Sequence, residues 1–179
     1  MSFQLTLWFS HKEITMTDST HKFEKLRDII NDIKVAMFVT SEGELQLRAR
    51  PMFTVDIDSN HNIWFFTNDD SGKVAEIIND HHVNLTYACP DDGKYLSVSG
   101  RANLIDDSKR KHELFNYFNK AWFPQGADDP NLLLIKVDPS DAEYWDTSGN
   151  SLVQLFKIAK AIAKEETYEG GEHEKIQGM

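Results

Sequence analysis

Strand-length apolar runs recur along this chain, and most are joined by turns too short to hold the crossover that parallel strands need. Val35-Ala36-Met37-Phe38-Val39-Thr40 is one such run. Ser41-Glu42-Gly43-Glu44 turns the chain, and Leu45-Gln46-Leu47-Arg48-Ala49-Arg50 alternates as the returning strand of a hairpin. Pro51 cannot donate to a ladder, so it predicts an edge or a bulge. Met52 to Ile57 and Ile63 to Thr67 flank a second turn, Asp58-Ser59-Asn60-His61-Asn62. Val83 to Ala88 and Tyr95 to Ile105 flank a third, Pro90-Asp91-Asp92-Gly93. Gly100 inside the latter strand predicts a bulge or a close backbone approach. Leu132 to Val137 is a further strand, ended by Asp138-Pro139.

Helical spacing appears between these runs. Phe23, Leu26, Ile29, Ile30 and Ile33 predict a helix from Thr20 to Ile33. A second helix covers Gly72 to Asn79, and a third Asp106 to Asn119, with Leu114, Phe115 and Phe118 on one face. Leu152, Leu155, Phe156, Ala159, Ile162 and Ala163 mark a last amphipathic helix. The fold class that follows is α+β: a six-stranded, mostly antiparallel β-barrel decorated with helices. A chain of 179 residues is one domain's worth. That domain spans residues 19–164. Residues 1–18 read as a flexible N-terminal extension, and the acidic residues 165–179 as a solvated tail.

Charge narrows the partners. Nineteen Lys and Arg stand against 29 Asp and Glu, a formal net charge of −10. Nucleic acid and anionic membranes would repel such a surface, and an anionic ligand needs a local basic pocket. The single cysteine, Cys89, cannot staple its own chain or build a multi-cysteine zinc site, and reads as a small buried hydrophobe. No run approaches the ~18 apolar residues of a membrane span. The apolar N-terminus lacks a basic start and a small-residue cleavage site, so a cytoplasmic protein is expected.

Two segments can build a basic pocket. In Trp64-Phe65-Phe66-Thr67-Asn68-Asp69-Asp70-Ser71-Gly72-Lys73 an aromatic strand ends in a hydroxyl and a tight loop leads into a helix. Free N–H groups at that helix start, with Ser71 and Lys73, suit a phosphate. Ser71 equally reads as an N-cap and Lys73 as solvated. Arg48 and Arg50, two apart on a strand, share a face. They can converge with Lys73 on one anion, or form cross-strand salt bridges. Trp122-Phe123-Pro124 and Glu143-Tyr144-Trp145-Asp146 supply tryptophans that either plug the barrel or stack on a planar ligand. The chain holds no Walker A loop, H-E-x-x-H or G-x-S-x-G motif, and its histidines show no metal-ligand spacing. No catalytic residue stands out.

The ordered set is specific. It runs through Arg48-x-Arg50-Pro51-Met52, Trp64-Phe65-Phe66-Thr67, Ser71-x-Lys73 and Val98-Ser99-Gly100-x-Ala102. It continues through Ala121-Trp122-Phe123-Pro124-x-Gly126-x-Asp128-Asp129-Pro130 to Glu143-Tyr144-Trp145-Asp146. From Phe23 to Ala163 the chain resembles the general stress protein family of the pyridoxamine 5′-phosphate oxidase-like, FMN-binding split-barrel superfamily. The resemblance implies a split barrel and a homodimer with FMN at the subunit interface. It implies that Arg50, Ser71 and Lys73 hold the FMN phosphate and that Phe66 and Thr67 lie beside the flavin. Tyr95 stands where the oxidase has a glutamine of the site, and Trp145 matches a tryptophan near the flavin from the partner chain. Met52 and Trp122 join by proximity.

The chain also departs from the oxidase. Gly72 replaces an arginine before the phosphate-loop lysine. The oxidase's C-terminal Arg-Leu-His-Asp-Arg segment is absent, and Asp146-Thr147-Ser148-Gly149-Asn150 follows Trp145 instead. The resemblance therefore implies an FMN-dependent oxidoreductase of unknown small-molecule substrate, or alternatively a non-catalytic flavin-binding or redox-sensing stress protein.

Overall fold

The structure, a computed structural model, describes residues 21–43, 46–147 and 171–178. It contains strands β1 (Val35–Ser41), β2 (Leu47–Ile57), β3 (Ile63–Asn68), β4 (His82–Cys89), β5 (Lys94–Ile105), β6 (Leu132–Asp146) and β7 (Glu172–Gln177). Helix α1 covers residues 21–33, α2 covers Gly72–Asn79 and α3 covers Ser108–Leu114. The strand order is β3-β2-β1-β4-β5-β6-β7, and an added β3–β6 pairing closes the first six strands into a barrel. Every pairing among the described strands is antiparallel. The α+β barrel read from the short turns is the fold observed.

Alternation fills the barrel. Ala36 and Phe38 of β1, Leu85 and Tyr87 of β4, and Leu96 and Val98 of β5 all point inward and are buried. Each large side chain so buried is worth roughly 1.5–3 kcal/mol. Phe38 meets Phe65 edge-on at 5.3 Å. The Tyr87 hydroxyl finds Thr54 Oγ1 at 2.8 Å, so this buried polar group has a partner. Helix α1 lays Leu26, Ile29 and Ile30 on the same core. Trp64 and Phe66 point the other way, into a second cluster with Phe123, Leu132 and Leu134. Strand β3 is thus buried on both faces, which is why its sequence is continuously apolar rather than alternating.

Five sequence expectations change. The strands expected on either side of Pro51 are one: β2 runs unbroken from Leu47 through Pro51 to Ile57. Of β2, only Thr54–Ile57 pairs with β3, so at Pro51 one edge of β2 faces no strand among the described residues and a missing N–H there loses no ladder bond. Strand β6 likewise continues through Pro139 to Asp146. Pro139 falls between the stretch paired to β3, which ends at Val137, and the stretch paired to β7, which begins at Asp141. Opposite it lies the bulge expected at Gly100, where a Cβ would sit 2.5 Å from the Asp138 carbonyl oxygen.

The third change is a break in the helix expected over Asp106–Asn119. Helix α3 stops at Leu114, and a 3-10 turn follows at Tyr117–Ala121 because Asn116 caps it, leaving Phe118 exposed. The fourth concerns the acidic tail. Residues Glu172–Gln177 form β7 against Asp141–Asp146 of β6. Its carboxylates have partners: Glu172 and Glu174 meet the Tyr144 hydroxyl at 2.9 and 3.3 Å. Glu172 also meets Lys25, and Glu174 meets Lys22. Cys89 is half-buried rather than fully buried. The extension at residues 1–18 and the helix expected around Leu152–Ala163 lie outside the described residues.

Candidate functional site

The site begins where β3 ends. Asn68 tightens the turn: its carbonyl accepts from Ser71 N at 3.1 Å and its side chain from Asp70 N at 3.3 Å. Ser71 stands at the N-cap of α2, yet its hydroxyl makes no capping bond. It accepts instead from the Lys73 ammonium at 2.5 Å. Lys73 also donates to Thr67 Oγ1 at 3.1 Å. The lysine is therefore folded back over the end of β3 and half-buried, not extended into solvent. Burial, and next the nearby charge of Arg50, hold its pKa below the ordinary lysine value. Ser71 thus occupies the N-cap position without a side-chain cap, and Lys73 is bonded to two hydroxyls rather than fully solvated.

Lys73 is at the polar end of a cavity of about 370 Å³, together with Thr67 and Asn68. Met52 and Phe53 of β2 and Phe66 of β3 form apolar walls. Asn119, Trp122 and Phe123 close the other side. Phe66 is pinned by Phe115 and Phe123, with ring centroids 5.8 and 6.1 Å away. The segment bearing Trp122 is held by two backbone-to-side-chain bonds. Asn116 N donates to Asn119 Oδ1 at 2.7 Å, and Phe118 N donates to Asn116 Oδ1 at 3.0 Å. Trp122 itself is 70% exposed at the rim.

Arg50 lies beside this polar end in a closed ring of bonds. Its guanidinium donates to Glu76 Oε1 at 2.6 Å and to Thr40 Oγ1 at 2.8 Å. The Thr40 hydroxyl in turn donates to Glu76 Oε2 at 2.5 Å. Thr40 and Glu76 are both buried. Burial alone would raise the Glu76 pKa, but the Arg50 and Thr40 bonds outweigh it and the carboxyl titrates below its ordinary value. Arg48 takes the solvated salt-bridge role: it is half-exposed and pairs with Glu42.

Of the residues named from sequence, Met52, Phe66, Thr67, Lys73 and Trp122 line one cavity. Ser71 joins them through its bond to Lys73; Arg50 does not line the cavity and is tied instead to Glu76, one helical turn from Lys73 on α2. Tyr95 and Trp145 are not brought to it within the chain. They face each other across β5 and β6, and the Trp145 ring stacks on His173 at 5.1 Å. Sequence reasoning missed Thr40, Glu76 and Asn119. Glu76 follows Lys73 by one helical turn, but an acid on a short helix reads as solvated unless the opposing arginine is known.

The chain belongs to the pyridoxamine 5′-phosphate oxidase-like family, whose sequence profile matches residues 21–169. Its relatives there include general stress proteins. It is 26% identical to general stress protein 26 of Bacillus subtilis over 136 residues, covering 74% of this chain and 94% of that protein. It is 26% identical to protein bli-3 of Neurospora crassa over 151 residues, covering 79% and 72%. Among solved structures, a general stress protein 26 of Jannaschia sp. CCS1 superposes with a TM-score of 0.71 at 26% identity, covering 90% of this chain and 99% of that one. The general stress FMN/FAD binding protein of Xanthomonas citri superposes with a TM-score of 0.62 at 27% identity, covering 71% and 89%. No helix among the described residues is long and apolar enough to cross a membrane.

Proposed function

We propose that this protein binds FMN in the cavity and acts as a flavin-dependent oxidoreductase on a small molecule. The observation that carries the reading is Lys73. Hydroxyls of Thr67 and Ser71 hold its ammonium, and no carboxylate among the described residues is in ion-pair contact with it. A cation so placed, at the polar end of a cavity walled elsewhere by Met52, Phe53, Phe66 and Phe123, suits a phosphate monoester joined to a planar ring. The residues fit the group. Lys73, Ser71 and Arg50 are the candidates to hold the phosphate. Phe66 and Met52 would wall the ring, and Trp122 would cover its edge. Bound flavin would supply the electron-transfer chemistry, while the chain orients it and excludes water from one side. The Xanthomonas citri protein, described as FMN/FAD binding, supports the assignment.

The same reading includes a homodimer with the flavin between subunits. Val35, Met37, Phe53, Tyr95 and Trp145 are large apolar residues exposed by 36–48%. Val35 pairs with Phe53 across β1 and β2, and Tyr95 with Trp145 across β5 and β6. Phe53 also lines the cavity, so a partner packed on this face would bring its own Tyr95 and Trp145 toward the flavin. Sedimentation at micromolar concentration should give twice the monomer mass, and a monomer there would end the dimer proposal. A cytoplasmic location accords with the single free thiol, Cys89.

Pyridoxamine phosphate is not the proposed substrate. The oxidase's C-terminal Arg-Leu-His-Asp-Arg segment is missing, and Asp146 at its place is bound to Lys25 at 2.6 Å. That departure favours the second reading, flavin binding or redox sensing without turnover. The test begins with the visible absorbance of the purified protein and its FMN affinity. Oxidation of a reduced nicotinamide above the rate of free FMN supports the enzyme. Tight FMN without turnover supports the sensor. Protein that neither carries nor binds flavin overturns both.

A further inference from the structure

Arg50 is not a free cation waiting for an anion. It already donates to Glu76 and Thr40, and Thr40 is tied to the same carboxylate. Two of its five N–H donors are engaged, one on each terminal nitrogen. Glu76 and Lys73 lie three residues apart on α2. The helix thus presents a cation to the cavity and an anion to the arginine beside it. Arg48 also reaches Glu76 Oε1, at 3.9 Å, but it is half-exposed and paired with Glu42, so counting formal charges at the site Arg50 and Lys73 contribute two positives and Glu76 removes one. A phosphate monoester, whose second pKa is about 6, carries close to two negative charges at neutral pH.

We propose that Glu76 is an internal competitor for the ligand phosphate: it positions Arg50 while cancelling one of the site's two positive charges, so a phosphorylated flavin is held more loosely than the two cations alone would hold it. The inference rests on the reading that Lys73 and Arg50 receive a flavin phosphate. Its consequence is an exchangeable cofactor. Glu76 is buried and its oxygens are occupied by Arg50 and Thr40. A phosphate must therefore take the remaining guanidinium donors beside a fixed carboxylate, or displace it. A merely structural role for Glu76 makes the opposite prediction, because removing a brace should loosen the site.

The test compares FMN with riboflavin, which lacks the phosphate, on the full chain freed of flavin. Glu76→Gln keeps an oxygen acceptor for Arg50 and removes the charge. FMN should bind about tenfold more tightly than to the unaltered chain, with riboflavin unchanged. Glu76→Asp, which keeps the charge, should leave the ratio of FMN to riboflavin affinity near its original value. A ratio that is unchanged or lower in Glu76→Gln overturns the proposal. If that variant does not fold, guanidinium NMR of the unaltered chain decides, with the Arg50 signal assigned by Arg50→Lys. The signal should shift with FMN and not with riboflavin, and a signal indifferent to FMN overturns the competition. Lys73→Ala separates the two layers. Unchanged FMN affinity there removes the phosphate reading and this proposal together. Weakened FMN in Lys73→Ala with no tightening in Glu76→Gln removes this proposal alone.

Discussion

Lys73 and Lys25 are both part-buried lysines folded onto the barrel, and their surroundings are opposite. Lys73 meets two hydroxyls and a neighbouring arginine, and its pKa is pushed down by burial and then by Arg50. Lys25 meets Asp146 at 2.6 Å and Glu172 at 3.2 Å, and foremost the hydrogen bond it donates to Asp146 pushes its pKa up. One ammonium is braced but not neutralised; the other is neutralised on the spot and clamps α1 to β6 and β7. A cation held by hydroxyls retains its attraction for an incoming anion, at a cost to the folded state. A cation held by carboxylates has used that attraction to join parts of the chain.

The largest expected effect separates the two lysines directly. Lys73→Ala should weaken FMN by roughly 10- to 150-fold, the value of one charge-assisted hydrogen bond, while thermal stability holds or rises slightly. Flavin fluorescence titration and a melting curve measure both. A collapse of stability with FMN affinity intact would reverse the roles assigned here. Lys25→Ala should do the converse: about 1–2 kcal/mol of stability lost in urea unfolding, because the buried Asp146 carboxylate loses a charged partner, and FMN affinity unchanged.

Next is pH, where the two should move in opposite senses. The folded Lys25 pKa lies above the ordinary 10.5, so its stabilisation is whole below that value and is lost only as pH rises through the higher folded pKa. The folded Lys73 pKa lies below 10.5, so its ammonium loses the proton first; FMN affinity then falls while the stability cost of that buried charge is relieved. Parallel titrations of FMN affinity and melting temperature should show affinity declining before the Lys25 contribution does. Simultaneous loss of both above 10.5 would refute the contrast. The smallest effect is Glu172→Gln. Glu172 is 54% exposed, so its pairing with Lys25 should be worth about 0.2–1 kcal/mol, readable as a small drop in melting temperature.

Much of the barrel is legible in the chain because antiparallel neighbours joined by short turns leave a local record: a two-residue alternation and polar turn residues. The limits of β6 and β2 were not legible, since a proline stops a strand only where its N–H would meet a partner. Pro51 and Pro139 each fall where, among the described residues, no strand lies on one side. Strand β7 escaped for a related reason. Its sequence carries one apolar residue, Ile176, which packs on the core, and the lysines of α1 and the Tyr144 hydroxyl make its carboxylates structural.

Ser71, Lys73 and Arg50 could be singled out because a hydroxyl and a lysine at a helix start, and arginines two apart on a strand, stand out in an acidic chain. Residue order alone also set the fold class and the family, because local spacing and motif order are properties of the chain before it folds. Whether those cations were braced, neutralised or exposed was decided by which side chains arrive from elsewhere: Thr67 across a turn, Thr40 from β1, Glu76 from the next turn of α2. Electrostatic state depends on distance through space and on exclusion of water, and neither is written in the spacing of residues along one strand.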